Sequence, residues 1–459
     1  MSPYAIRPLG CLIVAGVLFL ALGWPGGVSG ARAVATRRVL VVTVTKGSRH
    51  DSIPTAEKVL GELATKSGLF TVDYARTDEE MATKMTAAAL KNYAAVVFAN
   101  TTGDLPMPDK GAFLKRIESG MGFVGVHAAT DTFRGHKPLD PYVLMLGGEF
   151  KGHGAQVEVE VINQDPRHPA CRNYPPTFHI FDEVYLMNGF QRSRVHGLLT
   201  LDKHPNTGVP GDYPIAWCKM YGNGRVFYTS LGHREEIWES PDFQKHILGG
   251  IKWAVRLERG DAGPQDTTYR LGLAEAGRGF KALFNGTDLK GWKLRDPTGR
   301  QSWSAQNGML VNEMNEKEPG NDLITVDMFR DFTIRYEYMV PSNGNSGVYL
   351  RGRHEIQILD DFEKGQPAIG GNGALYNIAA PTKFASRKAG QWQQVEATII
   401  GDRVTVVLNG VKVLENVVAD RPTGGELDAN LNDLGPVMLQ GNHGPVAFRK
   451  LRLKPLRSL

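Results

Sequence analysis

A chain of 459 residues exceeds one ordinary domain and predicts two or three. With 42% apolar and 22% charged residues, each half can bury a core, which excludes global disorder; 53 glycines and 26 prolines favour turn-rich β structure over helical bundles. Lys plus Arg outnumber Asp plus Glu by only 53 to 48, and the excess forms no basic stripe, finger spacing or aromatic-basic pattern, so nucleic acid is not an expected partner.

Residues 1–33 read as a signal peptide. Arg7 supplies a positive start, the run from Cys11 to Leu22 an apolar core too short for a comfortable membrane span, and Ala31-Arg32-Ala33 a small-x-small cleavage site. The expected location is periplasmic or secreted. Two alternatives stay open: an uncleaved N-terminal anchor, and lipidation at Leu9-Gly10-Cys11, which fits poorly because its cysteine precedes the apolar run. No later stretch is apolar for long enough to span a bilayer. Cys171 and Cys218 are too few for a disulfide scaffold, and either a single pair or two buried thiols is consistent with them.

From residue 38 to 259, apolar strand-like runs alternate with helical segments. RVLVVTV (38–44), FTVDYA (70–75), YAAVVFA (93–99) and GFVGVHA (122–128) are nearly continuous Val/Ile/Phe/Ala, as parallel strands covered on both faces are. A helix is predicted from Ile53 to Lys66. The runs 196–201, 214–218 and 224–230 extend the sheet, and 243–257 closes it as an amphipathic helix. This predicts a doubly wound α/β domain. A polar segment, 260–278, reads as a linker. From 279 to 457 short strands alternate in period two between Asn-Gly turns, over 331–340, 346–359, 392–401, 403–410 and 446–455. That predicts an antiparallel jelly-roll sandwich.

Ligands of open parallel sheets bind beyond the carboxyl ends of the strands. The polar residues there include His50, His127, Asp131, His153, His233 and Glu235. Four histidines from separate strand ends would converge on one edge, where imidazoles bind a transition metal or shuttle protons. No HExxH-type spacing supports the metal reading. A divalent ion is left open at the carboxylates of the second half, Glu355 and Asp360, and no cofactor is certain.

GFVGVHAATDTF (122–133), LGGEFKGH (146–153) and GNGRVFYTSLGHREEIW (222–238) resemble the ThuA-like, trehalose-utilisation domain, of the class I glutamine amidotransferase-like fold. In that fold a nucleophilic cysteine sits at a strand-to-helix elbow and is served by a His-x-Glu pair. The resemblance puts His127 at the elbow and makes His233 and Glu235 the remaining pair. An imidazole cannot form the thiolate's acyl intermediate, so amidotransfer is disfavoured.

In the second half, the string 343–360 splits by period two. Val348, Leu350, Ile356 and Ile358 share one face with His354; Tyr349, Arg351, Arg353, Glu355 and Gln357 share the other. Arg, Glu and Gln on one face suit a sugar's hydroxyls, although a solvated charged face is the ordinary alternative. Asp360 ends the run, and Tyr376, Gln440 and His443 are further polar candidates. For Trp292 and Trp392 core packing is favoured over stacking on sugar; Trp303 is left undecided.

FKALFNGTDLKGWK (280–293), NSGVYLRGRHEIQILD (345–360), GALYN (373–377) and VAFRKLRLK (446–454) resemble the 3-keto-disaccharide hydrolase domain, a concanavalin-like jelly roll. One residue more than the family pattern separates Gln440 from His443. The implied ligand is a small oxidised carbohydrate, and the implied reaction is β-elimination followed by hydration. For it the candidates are Glu355 and Asp360 as base and acid, Arg351 as clamp on the enolate, and His443 as reserve proton carrier. Asn345, Ser346, Arg353, Gln357, Tyr376 and Gln440 are the candidate binding residues. A two-carboxylate glycosidase would use the same residue types, and a non-catalytic carbohydrate-binding module on a ThuA-like enzyme is the rival from another class.

Overall fold

The computed structural model describes residues 36–315 and 317–456; the expected signal peptide lies outside them. The first lobe contains β1 (Arg37–Val42), β2 (Phe70–Ala75), β3 (Ala95–Ala99), β4 (Gly122–Val126), β5 (Glu149–His153), β6 (Val157–Asn163), β7 (Thr177–Asp182), β8 (Tyr185–Asn188), β9 (His196–Lys203), β10 (Pro210–Tyr221) and β11 (Gly224–Thr229). Nine of them form one sheet in the order β2-β1-β3-β4-β11-β10-β9-β6-β7, and β5 pairs with β8 apart from it.

Along β1 every second side chain feeds a different core. Val39 and Val41 join one cluster, Leu40 and Val42 the other. Helices α1 (Ile53–Ser67), α2 (Asp78–Lys84), α3 (Lys110–Glu118), α4 (Pro141–Leu146), α5 (Glu235–Glu239) and α6 (Pro241–Ala254) cover the two faces. α1 and α6 contribute Leu60 and Ile247 to the first core, while α3 and α4 contribute Phe113 and Tyr142 to the second. That burial makes the strands continuously apolar, as expected.

The sheet is doubly wound only in part. β2, β1, β3, β4 and β11 run parallel, but β10, β9, β6 and β7 run antiparallel. The reason is the length of the connection. Only Gly222 and Asn223 separate β10 from β11, which permits a hairpin, whereas a parallel crossover needs a dozen residues or more. Gly222 takes the left-handed conformation (φ 56°) that such a turn requires.

The second lobe contains β12 (Lys281–Ala282), β13 (Trp292–Leu294), β14 (Trp303–Gln306), β15 (Met309–Asn312), β16 (Leu323–Thr325), β17 (Phe332–Met339), β18 (Asn345–Leu350), β19 (His354–Leu359), β20 (Gln393–Ile400), β21 (Arg403–Leu408), β22 (Val411–Val418), β23 (Met438–Leu439) and β24 (Val446–Pro455). They form two antiparallel sheets: β14-β15-β24-β17-β20-β21-β22, with β12 beside β24, and β13-β16-β23-β18-β19. Ile334 and Tyr336 from the larger sheet meet Val348, Leu350, Ile356 and Ile358 from the smaller in one core, which makes the lobe a β sandwich.

The run 346–359 is not one strand. Arg351, Gly352 and Arg353 turn it into the β18–β19 hairpin, with Leu350 opposite His354 and Tyr349 opposite Glu355. Arg351 and Gly352 both have positive φ, at 55° and 69°. A three-residue turn preserves strand parity, so Val348, Leu350, Ile356 and Ile358 still face the core together.

The segment 260–278 is fastened to both lobes. Gly263 O lies 2.7 Å from His196 Nδ1, and Gln265 Oε1 accepts from Gly197 N at 2.7 Å. Within it α7 (Leu273–Gly277) carries Glu275, which pairs with Arg335 and Arg452 of the sandwich. Trp392 packs, partly buried, against a small core of Met309, Val311 and Ala447, while its Nε1 donates to Asp202 of the first lobe at 2.8 Å and Arg449 covers its ring. Trp292 and Trp303 are core residues. Cys171 and Cys218 are free, buried thiols. Among the described residues no helix is long and apolar enough to cross a membrane.

Candidate functional site

In the first lobe the carboxyl ends of four strands meet. His50 follows β1, His127 follows β4, Glu183 follows β7 and His233 follows β11. His50, Glu183 and His233 border a cavity of about 600 Å³, whose polar lining includes Asp131, His153, Glu235, Arg49, Arg134 and Arg234, while His127 lies buried behind them. His127 leaves its strand with φ 47°, a conformation an L-residue adopts only where surrounding structure enforces it. Its ring is fully buried, and Nδ1 meets Ser230 O at 2.7 Å. On the other side of the ring, Nε2 lies 3.3 Å from His233 Nδ1 and 3.6 Å from Glu183 Oε1. His233 Nδ1 is 3.3 Å from the same Glu183 oxygen, and His153 Nδ1 is 3.2 Å from its partner Oε2. The His50 ring stands edge-on to both His127 and His233, with centroids 4.9 and 5.2 Å away.

Electrostatics here follow burial and proximity. Burial first, then the charges of His127 and His233, push the His50 imidazole down to about 4, so it is neutral at pH 7. Burial alone would raise Glu183, but the imidazoles of His127 and His233 beside its carboxylate hold it below the usual carboxylate range. The hydrogen bond to Glu183 raises His233 against the opposing effect of burial. Burial also raises Asp131, which pairs with Arg134. Imidazoles beside a held carboxylate form a donor set for a metal ion or a proton relay.

The expected convergence of His50, His127, His153 and His233 is present in this geometry. The expected His233–Glu235 pairing is not: the carboxylate that meets His233 is Glu183, while Glu235 opens α5 on the cavity wall. Glu183 was missed because 149–188 carried no strand prediction. The alternation VEVEVIN at 157–163 was the available signal, since it implies a partner strand such as β7, which delivers Glu183.

In the second lobe a smaller cavity, about 220 Å³, is lined by Asn345, Tyr349, Glu355, Gln357, Tyr376, Gly424, Gly425, Gln440 and His443. The hairpin places Tyr349 and Glu355 as a cross-strand pair, and Tyr349 OH donates to Glu355 Oε2 at 2.9 Å. Gln440 Nε2 donates to that hydroxyl at 3.2 Å. The Gln357 amide, oriented to satisfy its neighbours, donates to Glu355 Oε1 at 3.2 Å. Burial raises the Glu355 carboxyl to about 7; the Tyr349 hydrogen bond works against that rise, and the charge of Asp322 adds to it. A carboxyl poised near 7 suits a general base. Gly347, opposite Gln357, is required for room: a Cβ there would sit 2.1 Å from Glu355 Oε1. Despite the extra residue between Gln440 and His443, both line the same cavity.

Four expected site residues lie elsewhere. Arg351 is fully buried in the hairpin turn, where it pairs with Asp331 at 2.9 Å and donates to Arg330 O. Arg353, also in the turn, pairs with Asp428 at 2.6 Å. Period two alone continues the strand through Gly352 and sets both beside Glu355; the hairpin turn there takes them off that face. Asp360 accepts from Asn343 N at 2.9 Å and so closes the loop before β18. Ser346 faces inward and donates to Gln440 O at 2.8 Å. Tyr349, in contrast, was read on the correct face but given no role.

A lobe built on an α/β sheet and a mostly-β lobe, each with its own polar cavity, define a two-domain chain. Residues 38–254 match the family described as Trehalose utilisation, ThuA, and residues 279–454 match the 3-keto-alpha-glucoside-1,2-lyase-like domain. The chain is a ThuA domain followed by a 3-keto-disaccharide hydrolase-like domain, and it is a carbohydrate-active protein. No curated protein matches it. Among solved structures it is similar to a protein of Parabacteroides distasonis provisionally described as a glycosyl hydrolase (28% identity, 39% of this chain and 84% of that one, TM-score 0.33). It is also similar to one of Parabacteroides merdae provisionally described as ThuA-like (22%, 49% and 92%, TM-score 0.42). A third is the carbohydrate-binding module CBM66 of Bacillus subtilis (13%, 37% and 98%, TM-score 0.26).

Proposed function

We propose that this is an exported enzyme whose second lobe, a concanavalin-like jelly roll, cleaves 3-keto-glycosides by elimination and hydration. The ThuA lobe, of amidotransferase-like fold, acts on related oxidised sugars. The observation that carries the reading is the carboxyl count. Among the described residues lining the second-lobe cavity, Glu355 is the one carboxyl group. A conventional glycosidase needs two. Elimination needs one base, because a C3 ketone already acidifies the hydrogen on C2.

In this scheme the ionised Glu355 takes the C2 proton, and the C–H electron pair moves onto the C3 oxygen as an enolate. The pair then returns to form the C1–C2 double bond as the C1–O bond breaks. The departing oxygen takes a proton from His443 or water, and water adds across the double bond to complete net hydrolysis. Tyr349 and Gln357 hold the base, while Asn345, Tyr376 and Gln440 offer donors and acceptors to hydroxyls and to the enolate oxygen. The cavity is below the usual size of a ligand pocket, which suits a single oxidised ring with the rest of the glycoside outside.

The test is turnover of 3-keto-trehalose and of trehalose by the full chain and by Glu355→Gln. The reading predicts cleavage of the keto-sugar alone, reduced about 10²–10⁴-fold in the variant. Binding of both sugars by both proteins without turnover would make the lobe a binding module instead.

A further inference from the structure

In the histidine–carboxylate cluster of the first lobe, more lone pairs face one point than the available protons can satisfy. His127 Nδ1 lies 2.7 Å from the Ser230 carbonyl oxygen. A carbonyl only accepts, so the proton of a neutral His127 is on Nδ1 and a bare lone pair is left at Nε2. Glu183 Oε1, 3.6 Å from that nitrogen, brings a second lone pair. His233 Nδ1 stands 3.3 Å from each of the two and carries at most one proton for both. His50 Nδ1 is buried beside them with no partner.

These separations are those of a coordination shell. Nitrogen and oxygen ligands at 2.0–2.1 Å from a tetrahedral ion stand about 3.3 Å from one another. The triangle of His127 Nε2, His233 Nδ1 and Glu183 Oε1 has sides of 3.3, 3.3 and 3.6 Å. One ligand atom from each of His50, His127, His233 and Glu183 falls within 4.8 Å of the others. Orienting contacts are in place as well: Ser230 O fixes the His127 ring, and His153 holds the second oxygen of Glu183 at 3.2 Å.

We propose that His50, His127, His233 and Glu183 bind one divalent transition-metal ion of the zinc class. Three imidazoles and a carboxylate suit zinc, cobalt, nickel or iron rather than calcium or magnesium, which prefer all-oxygen shells. The cluster opens on the 600 Å³ cavity, where a carbonyl or hydroxyl oxygen has access to the ion. The proposal concerns the metal alone and stands whether or not the second lobe cleaves keto-sugars.

The experiment strips the full-length purified protein with chelator, reloads it with zinc or cobalt chloride, and counts bound metal per chain by elemental analysis. Expected are one ion per chain, the visible bands of tetrahedral cobalt, and at least a tenfold loss of affinity in both His233→Ala and Glu183→Gln, with circular dichroism unchanged. The exposed His136→Ala serves as the control that keeps binding. If either cluster variant fails to fold, the cobalt spectrum of the unaltered protein decides. Absence of stoichiometric metal, or variants that bind as the parent does, would overturn the site.

Discussion

The two cavities are built in opposite ways. The first-lobe site gathers residues 50, 127, 183 and 233, one from the end of each of four strands, so the sheet topology is the device that assembles it. The second-lobe site is centred on one hairpin: Tyr349 and Glu355 face each other across it beside Asn345 and Gln357, and Tyr376, the Gly424-Gly425 pair, Gln440 and His443 complete the wall. A topological site survives changes in any one loop but depends on the order of strands. A hairpin site depends on a single turn and on the room between two strands.

That difference can be broken by substitution, most severely at the turn. Arg351→Ala removes a buried guanidinium that pairs with Asp331 and donates to Arg330 O and Leu431 O, and is expected to cost about 3–5 kcal/mol of stability. Urea unfolding checks it; because Arg351 lies off the cavity, turnover per folded molecule should be retained. A variant of full stability with lost turnover would return Arg351 to the chemistry. Gly347→Ala acts on the site instead. Its Cβ displaces the Glu355 carboxylate, so keto-sugar cleavage should fall by about 10²-fold, the loss a misplaced group can cause, while metal uptake by the first lobe is untouched. Equal activity in the variant would show that Glu355 has no fixed position to lose.

The most informative effect for the base is on pH dependence. Glu355 is raised in the folded state, so its protonated form is favoured by folding. The associated stability is fully present below the unfolded value of about 4.3 and is lost as pH rises through about 7. Above pH 7 the ionised, buried carboxylate costs on the order of 3 kcal/mol, which Glu355→Gln should recover. Activity runs the other way, rising through pH 7 as the base ionises. Urea midpoints and kcat/KM over pH 5–9 read both trends, and parallel rather than opposed trends would contradict the assignment.

Much of this was legible from sequence where the physical signal was local. Buried parallel strands announced themselves as apolar runs, and β3, buried throughout at 95–99, falls within the expected 93–99. The rule that ligands sit beyond strand carboxyl ends selected four histidines that do converge. Face parity identified Glu355 and Gln357 together. What escaped was set by contacts distant in sequence. Nothing near Glu183 marks it as a partner of His127, since the two meet only after β7 reaches the sheet edge. Arg351 and Asp360 carry the right chemistry, but a turn at Gly352 and a loop closed on Asn343 take them out of the cavity.

The central claim is that Glu355 removes a proton from C2 of a 3-keto-glycoside. The direct measurement is turnover by the full chain of a 3-keto-glycoside carrying deuterium at C2, beside the protiated compound and the unoxidised parent. The account predicts slower cleavage of the deuterated substrate and none of the parent. Cleavage of the parent glycoside at a comparable rate, without an isotope effect, would contradict it.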